Sequence, residues 1–190
     1  MTAEHAEYYT SVEDYLAGER ISQQKHEYLA GVIYAMAGTS LGHDRIANNI
    51  LGELRNQLRG RPCEAFSSDV KVRVRSNGAQ FYYYPDVTVD CGNGGDSSLF
   101  AEEPHVIFEV LSPDTERIDR GEKLANYQTL PSLDLYALVD QFHIAVTAYL
   151  RVETGWEMEF LTDKDHVLDL PSIGCALPLA TIYERTHLCR

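Results

Sequence analysis

Two acidic residues stand where strands of this composition should be apolar. Asp86 follows Pro85 and opens the run Val87-Thr88-Val89, and Glu109 interrupts His105-Val106-Ile107-Phe108-Glu109-Val110-Leu111. A carboxylate carried into a sheet interior is costly unless it is hydrogen-bonded, paired with a cation or bound to a metal. Two of them suggest a shared cation; the plainer alternative is that each ends its strand or pairs with a buried arginine. Lys123 lies in a stretch that reads as a helix from Glu116 to Thr129, and Tyr127, one turn later, shares its face. A strand carboxylate followed by an inward helix lysine supplies a metal ligand and a cation beside it. A solvated helix lysine is the simpler alternative.

Other residues offer weaker chemistry. His43, near the start of the long helix, is a candidate for substrate contact or for a hydrogen bond behind the site, with a capping or surface histidine the favoured plainer alternative. Lys71, Arg73 and Arg75 alternate with Val70, Val72 and Val74, which reads as a strand with one buried and one basic face. With Arg55, Arg59 and Arg61 that face would follow a phosphate backbone, or simply be solvated. Phe81-Tyr82-Tyr83-Tyr84 could stack on bases or pack against strand neighbours.

The elements that must hold these residues follow from periodicity. Thr10-Ser11-Val12-Glu13 starts a short helix ending at Gly18, and a hairpin turns at Ala30-Gly31. Ser40 caps a long helix whose stripe is Ile46, Ile50, Leu51, Leu54 and Leu58. Strands are expected through 81–84 and 86–90, then a Gly/Ser-rich loop at 92–98. The apolar run 105–111 should lie at the centre of a sheet, buried on both faces. Strands at 135–139, 142–150 and 156–160 and a last helix near 179–184 complete the chain. Strands interleaved with two substantial helices indicate an α/β or α+β layer fold around a mixed sheet, in a single domain over 1–190.

Composition narrows the classes. The 190 residues carry 16 Lys+Arg and 29 Asp+Glu, a formal net charge of −13, with 44% hydrophobic and 24% charged residues. That balance excludes a disordered or collagen-like chain, and the negative charge disfavours nonspecific coating of nucleic acid. The N-terminal stretch 1–9 lacks the basic and apolar regions of a secretory signal, and no apolar run approaches the ~20 residues that span a bilayer. Cys63, Cys91, Cys175 and Cys189 are scattered without a C-x-x-C pair, so a reduced, cytoplasmic protein without disulfides is expected.

Several segments occur together in an order that resembles a known family. They are Glu27-Tyr28-Leu29-Ala30-Gly31, Gly38-Thr39-Ser40-Leu41-Gly42-His43, Ser68-Asp69-Val70-Lys71-Val72, Tyr84-Pro85-Asp86-Val87, Glu109-Val110-Leu111-Ser112-Pro113, Asp119-Arg120 with Lys123 and Tyr127, and Leu138-Val139-Asp140. Over roughly residues 10 to 185 the chain is similar to the Uma-two family of restriction-endonuclease-like proteins, a branch of the PD-(D/E)XK nucleases. The resemblance implies a mixed central β-sheet flanked by helices, with an N-terminal hairpin and a C-terminal β extension. It makes Asp86 the Asp of the Pro-Asp motif, Glu109 the second acid and Glu27 a further acid of the site. The usual lysine two residues after the second acid is replaced here by Leu111, and the resemblance assigns its role to Lys123.

The chemistry fits that assignment. Mg²⁺ or Mn²⁺ prefers oxygen ligands and retains waters, so Asp86, Glu109 and the Val110 carbonyl would hold one beside a phosphate. Such an ion polarises the phosphate and acidifies a bound water, with Lys123 serving that water or the charge that develops. The leading expectation is a metal-dependent endonuclease acting on DNA, dimeric by analogy with single-domain nucleases. The alternatives are an inactive nuclease-fold dimeric interaction module and a hydrolase of another phosphoester.

Overall fold

The computed structural model describes residues 9–189; the N-terminal stretch read for a signal lies almost wholly outside them. Three layers of apolar side chains are stacked between two sheets and their covering helices. Ser11 caps α1 (Val12–Glu19) by accepting from the Asp14 N–H, and α1 leads into the hairpin β1 (His26–Leu29) and β2 (Val32–Ala35). The turn places Ala30 at φ 49° and Gly31 at φ 107°, a left-handed pair that glycine eases. The long helix α2 (Leu41–Gln57) follows, capped by Ser40, and the expected stripe of Ile46, Ile50, Leu51, Leu54 and Leu58 is buried.

The six-stranded sheet runs β11-β10-β9-β8-β6-β3. Its strands are β3 (Glu64–Ser67), β6 (Val87–Asp90), β8 (Pro104–Leu111), β9 (Leu135–Asp140), β10 (Val146–Val152) and β11 (Gly155–Leu161). The apolar run around Glu109 is β8, between antiparallel β6 and parallel β9. One face of this sheet packs with α2, the hairpin β12 (Val167–Leu170) and β13 (Cys175–Pro178), and α5 (Leu179–Ile182). The other face, with Ile107, Leu111, Tyr136 and Leu138, meets a second sheet through Val72, Val74 and Tyr83.

That second sheet, order β2-β1-β5-β4-β7, adds β4 (Lys71–Ser76), β5 (Ala79–Tyr83) and the two-residue β7 (Phe100–Ala101). Its far face buries Tyr28 and Tyr82 beneath Tyr15 of α1. The tyrosine cluster is therefore core: Tyr82, Tyr83 and Tyr84 are all buried. Between the sheets runs one helical segment with a wide turn inside it: α3 (Glu116–Ile118), a π-turn (Asp119–Lys123) and α4 (Leu124–Tyr127).

Three expectations need correction. Residues 142–145 are not strand, because the Asp140 carboxylate accepts from the Phe142 and His143 N–H groups and closes a turn. The β12–β13 hairpin and β7 were not foreseen, being short strands without clear alternation. The cysteines are not all free: Cys63 and Cys91 form a disulfide. The antiparallel ladder ending at Glu64↔Asp90 carries these two residues to 4.0 Å between Cα atoms, a proximity invisible in their sequence spacing. The reduced-thiol argument for a cytoplasmic setting thus retains only Cys175 and Cys189. Among the described residues no helix is long and apolar enough to cross a membrane.

Candidate active site

Asp86 and Glu109 meet at the end of the β6–β8 ladder. The last β6–β8 pair at this end is Val87↔Phe108, so one further step sets Asp86 opposite Glu109. Asp86 precedes its strand because Pro85 denies the ladder a donor there. Its Oδ2 accepts the Val110 N–H at 2.7 Å and lies 3.4 Å from Nε2 of His43. His43 stands in the first turn of α2, which packs on the other face of the sheet, and is 7% exposed. The site histidine is thus buried against Asp86 rather than at the surface, and its Nδ1 has no hydrogen-bond partner among the described residues.

Glu109 is held from the helical segment. Its Oε1 accepts from Nζ of Lys123 at 3.0 Å and from the Tyr127 hydroxyl at 3.3 Å. The same ammonium lies 3.1 Å from Oε1 of Glu27 and 3.2 Å from Oδ1 of Asp119. Glu27, on β1 of the second sheet, also accepts the Tyr84 N–H, two residues before Asp86. Glu27, Glu109, Lys123 and Tyr127 are brought to one place, with Asp86 and His43 adjoining.

Asp119 is the member that sequence reasoning missed. It stands four residues before Lys123 as Tyr127 stands four after, so the spacing 119, 123, 127 was the available signal. The π-turn carries Asp119 and Lys123 inward together, and Tyr136 of β9 fixes it by donating to the Asp119 carbonyl at 3.0 Å. Such turns are uncommon and recur at functional sites.

Lys71 and Arg73 are not part of this assembly. The register pairs Val72 with Tyr83, which stacks in the inter-sheet core, so Lys71 and Arg73 alternate to the opposite face with Tyr82. Lys71 lies buried over the Tyr84 ring at 5.0 Å, and burial lowers its pKa, with Glu19 opposing. Arg73 stacks on Phe100 at 4.2 Å and pairs with Glu102 at 3.2 Å. The expected basic strand face is therefore neither continuous nor turned toward the acids.

The electrostatics are those of too many carboxylates around one ammonium. Burial first, then Asp119, Asp86 and Glu27, push the Glu109 carboxyl well above its usual range, against the pull of Lys123. Burial likewise raises Asp86, opposed by His43 and the Val110 N–H. For Lys123 burial lowers the pKa, but Glu109, Glu27 and Asp119 outweigh it and hold the ammonium charged. Among the described residues no group of three or more His, Cys, Asp or Glu side chains is arranged to hold a metal ion. A hard divalent ion needs less, since it is commonly held by one or two carboxylates together with waters and phosphate oxygens. The donor set suits it: one oxygen of Asp86 and one of Glu109 are taken by orienting donors, leaving the second oxygen of each outside that network.

The mixed α+β architecture is a nuclease-type fold. The fold matches the crystal structure described as "a putative nuclease belonging to DUF820 from Anabaena variabilis", with a TM-score of 0.72 at 18% identity, over 92% of this chain and 97% of that one. The chain belongs to the Uma2 family, whose model, described as "Putative restriction endonuclease", matches residues 12–180. Two relatives from Synechocystis sp. are the uncharacterized proteins slr1290, 36% identical over 92% of this chain and 91% of its own length, and sll1609, 32% identical over 73% and 79%.

Proposed function

We propose that the chain is a metal-dependent phosphodiesterase that hydrolyses DNA at the Asp86–Glu109 site. The observation that carries this reading is the juxtaposition of the two carboxylates at the β6–β8 junction, each with one oxygen anchored by a donor. Asp86, Glu109 and the Val110 carbonyl would hold Mg²⁺ or Mn²⁺, which when bound polarises a phosphate and lowers the pKa of a bound water. The protein's own contribution is orientation. Val110 N–H and His43 hold Asp86 from two sides, while Lys123 and Tyr127 hold Glu109. The Lys123 ammonium, kept charged by three acids, stabilises negative charge added at the phosphate. Cutting both strands of a duplex would call for two copies of the chain.

One observation favours a second reading. Lys123 is already engaged by three carboxylates, as in a charge-balancing core of an inactive module with this fold. Incubation of purified protein with Mg²⁺ or Mn²⁺ and plasmid or oligonucleotide DNA, with EDTA controls, separates the two. Cleavage is expected with metal and not in EDTA. Asp86→Asn and Glu109→Gln should each lose at least ~10²–10³ in rate, and the double variant should lose little more, because both act in one assembly. Hydrolysis of a simple phosphodiester without DNA cleavage would reassign the substrate. A parent that cleaves nothing with either metal favours the inactive module.

A further inference from the structure

We infer that β11 is a docking edge for an extended segment of another protein, one in which apolar residues alternate with lysine or arginine. It ends the six-stranded sheet, and among the described residues it pairs with β10 alone. The ladder sets where its free backbone groups point. The Arg151 N–H of β10 donates to the Asp134 carbonyl at 2.8 Å, so Arg151 faces β9, and its neighbours Leu150 and Val152 turn their backbone groups to β11. Their partners Glu157 and Gly155 are thereby bonded to β10, and the N–H and C=O groups of Trp156, Met158 and Phe160 point outward. A row of unpaired backbone groups is a template for one more strand, and proteins commonly blunt it with a bulge, a proline or a covering segment. β11 instead runs in unbroken register with β10 from Gly155 to Leu161.

The same three residues form an apolar shelf. Trp156 and Tyr149, which is paired with Met158, pack against the inter-sheet core, so Trp156, Met158 and Phe160 continue that face outward. Met158 is 65% exposed and Phe160 62%. Trp156 is fixed by Arg151, whose guanidinium lies 4.5 Å from the ring and donates to the Leu130 and Leu133 carbonyls. On the opposite face Glu157 and Glu159 are exposed, and their partners on β10, Leu150 and Ala148, offer them no charge.

Those two carboxylates decide the occupant. A second copy adding its own β11 antiparallel, apolar residue to apolar residue, would centre on Glu157, Met158 or Glu159. These registers set Glu157 against Glu157, Glu157 against Glu159, or Glu159 against Glu159. Like charges directly opposed weaken a strand pair, and opposite charges strengthen it. A strand with Lys or Arg at those positions reverses the sign while keeping its apolar residues beside Trp156, Met158 and Phe160. The net charge of −13 adds a longer-range attraction for a basic segment. In strand addition the main-chain bonds supply affinity and the alternating side chains supply selection. The edge is separate from the acids on β6 and β8, so the inference holds whether or not those acids cleave DNA.

The test uses the full chain and two end-blocked synthetic heptapeptides, one alternating valine with lysine and one alternating valine with glutamate. Trp156 is the chain's single tryptophan, so its emission reports on the shelf directly. The lysine peptide should shift that emission, slow hydrogen exchange at the Met158 and Phe160 amides, and bind at least ~10-fold more tightly than the glutamate peptide. Glu157→Lys combined with Glu159→Lys should reverse the preference. Met158→Pro removes an outward donor and takes no bond from the β10 ladder, so it should weaken lysine-peptide binding by ~10-fold or more. Circular dichroism and thermal melting establish that the variants are folded, and the charge reversal, confined to exposed side chains, decides the matter if the proline variant does not fold. No binding of the lysine peptide, equal binding of the two peptides, or a charge-reversed protein that keeps the parent's preference overturns the inference. So does sedimentation showing a parent dimer that Met158→Pro splits, since a second copy would then occupy the edge.

Discussion

Taking away the Lys123 ammonium would leave Glu27, Glu109 and Asp119 facing one another with no cation between them. Breaking a buried ion pair from one side typically costs about 3–5 kcal/mol, so Lys123→Met should lower the urea midpoint markedly as well as abolish activity. A Lys123→Met protein as stable as the parent would overturn the view that this ammonium balances the buried acids. Lys71 behaves in the opposite sense because it is buried without an acid in contact. Burial lowers its pKa, so between that lowered value and the usual 10.5 the unfolded chain holds a proton that the native chain does not. Parent stability should therefore rise with pH through that window, with the full penalty present below it. Lys71→Met is expected to be more stable than the parent at pH 7, by a margin that narrows as the pH approaches 10.5 in paired denaturation curves.

At the scale of elements, the start of α2 does two jobs. Ser40 caps the helix by accepting from the His43 N–H at 3.2 Å, and the same hydroxyl donates to Gln141. Ser40→Ala should cost about 1 kcal/mol as a lost cap, measured by thermal or chemical unfolding, and should loosen the seat of His43 beside Asp86. A loss of activity larger than the loss of folded protein is the expected signature; Ser40→Asp, which restores a cap acceptor, should recover stability more fully than activity. The helical segment 116–127 shows how an element's type was legible while its geometry was not. A helix is expected from Glu116 to a stop before Leu130-Pro131, and Lys123 with Tyr127 share a face at four-residue spacing. The π-turn that aims Asp119 and Lys123 together arises from packing against β9, where Tyr136 holds the Asp119 carbonyl.

For the molecule as a whole, the disulfide between Cys63 and Cys91 closes a loop with a sequence separation of 28 residues at the outer edge of the six-stranded sheet. A crosslink of this span typically contributes about 2–4 kcal/mol, chiefly by restricting the unfolded chain. Denaturant unfolding with and without a reductant should differ by that amount, and Cys63→Ser should unfold alike in both. A parent indifferent to reductant would mean that the two thiols are free in solution. The site lies at the other end of the β6–β8 ladder from this crosslink, so Cys63→Ser should leave cleavage largely intact at temperatures where the protein is folded.

The local elements and the residue types of the candidate site were written in the sequence, because both depend on neighbours close along the chain. The five-residue stripe of α2, the Ala30-Gly31 turn, the buried run of β8 and the acids intruding on apolar strands are all of this kind. Only the tertiary structure decided which distant groups meet. Strand register set Asp86 against Glu109 and turned Lys71 and Arg73 away from them. Packing of two sheets brought Glu27 to Lys123, and the β3–β6 ladder joined Cys63 to Cys91. A one-residue change of register would reverse each of those facings, and side-chain alternation within a single strand carries no information about the partner strand's offset.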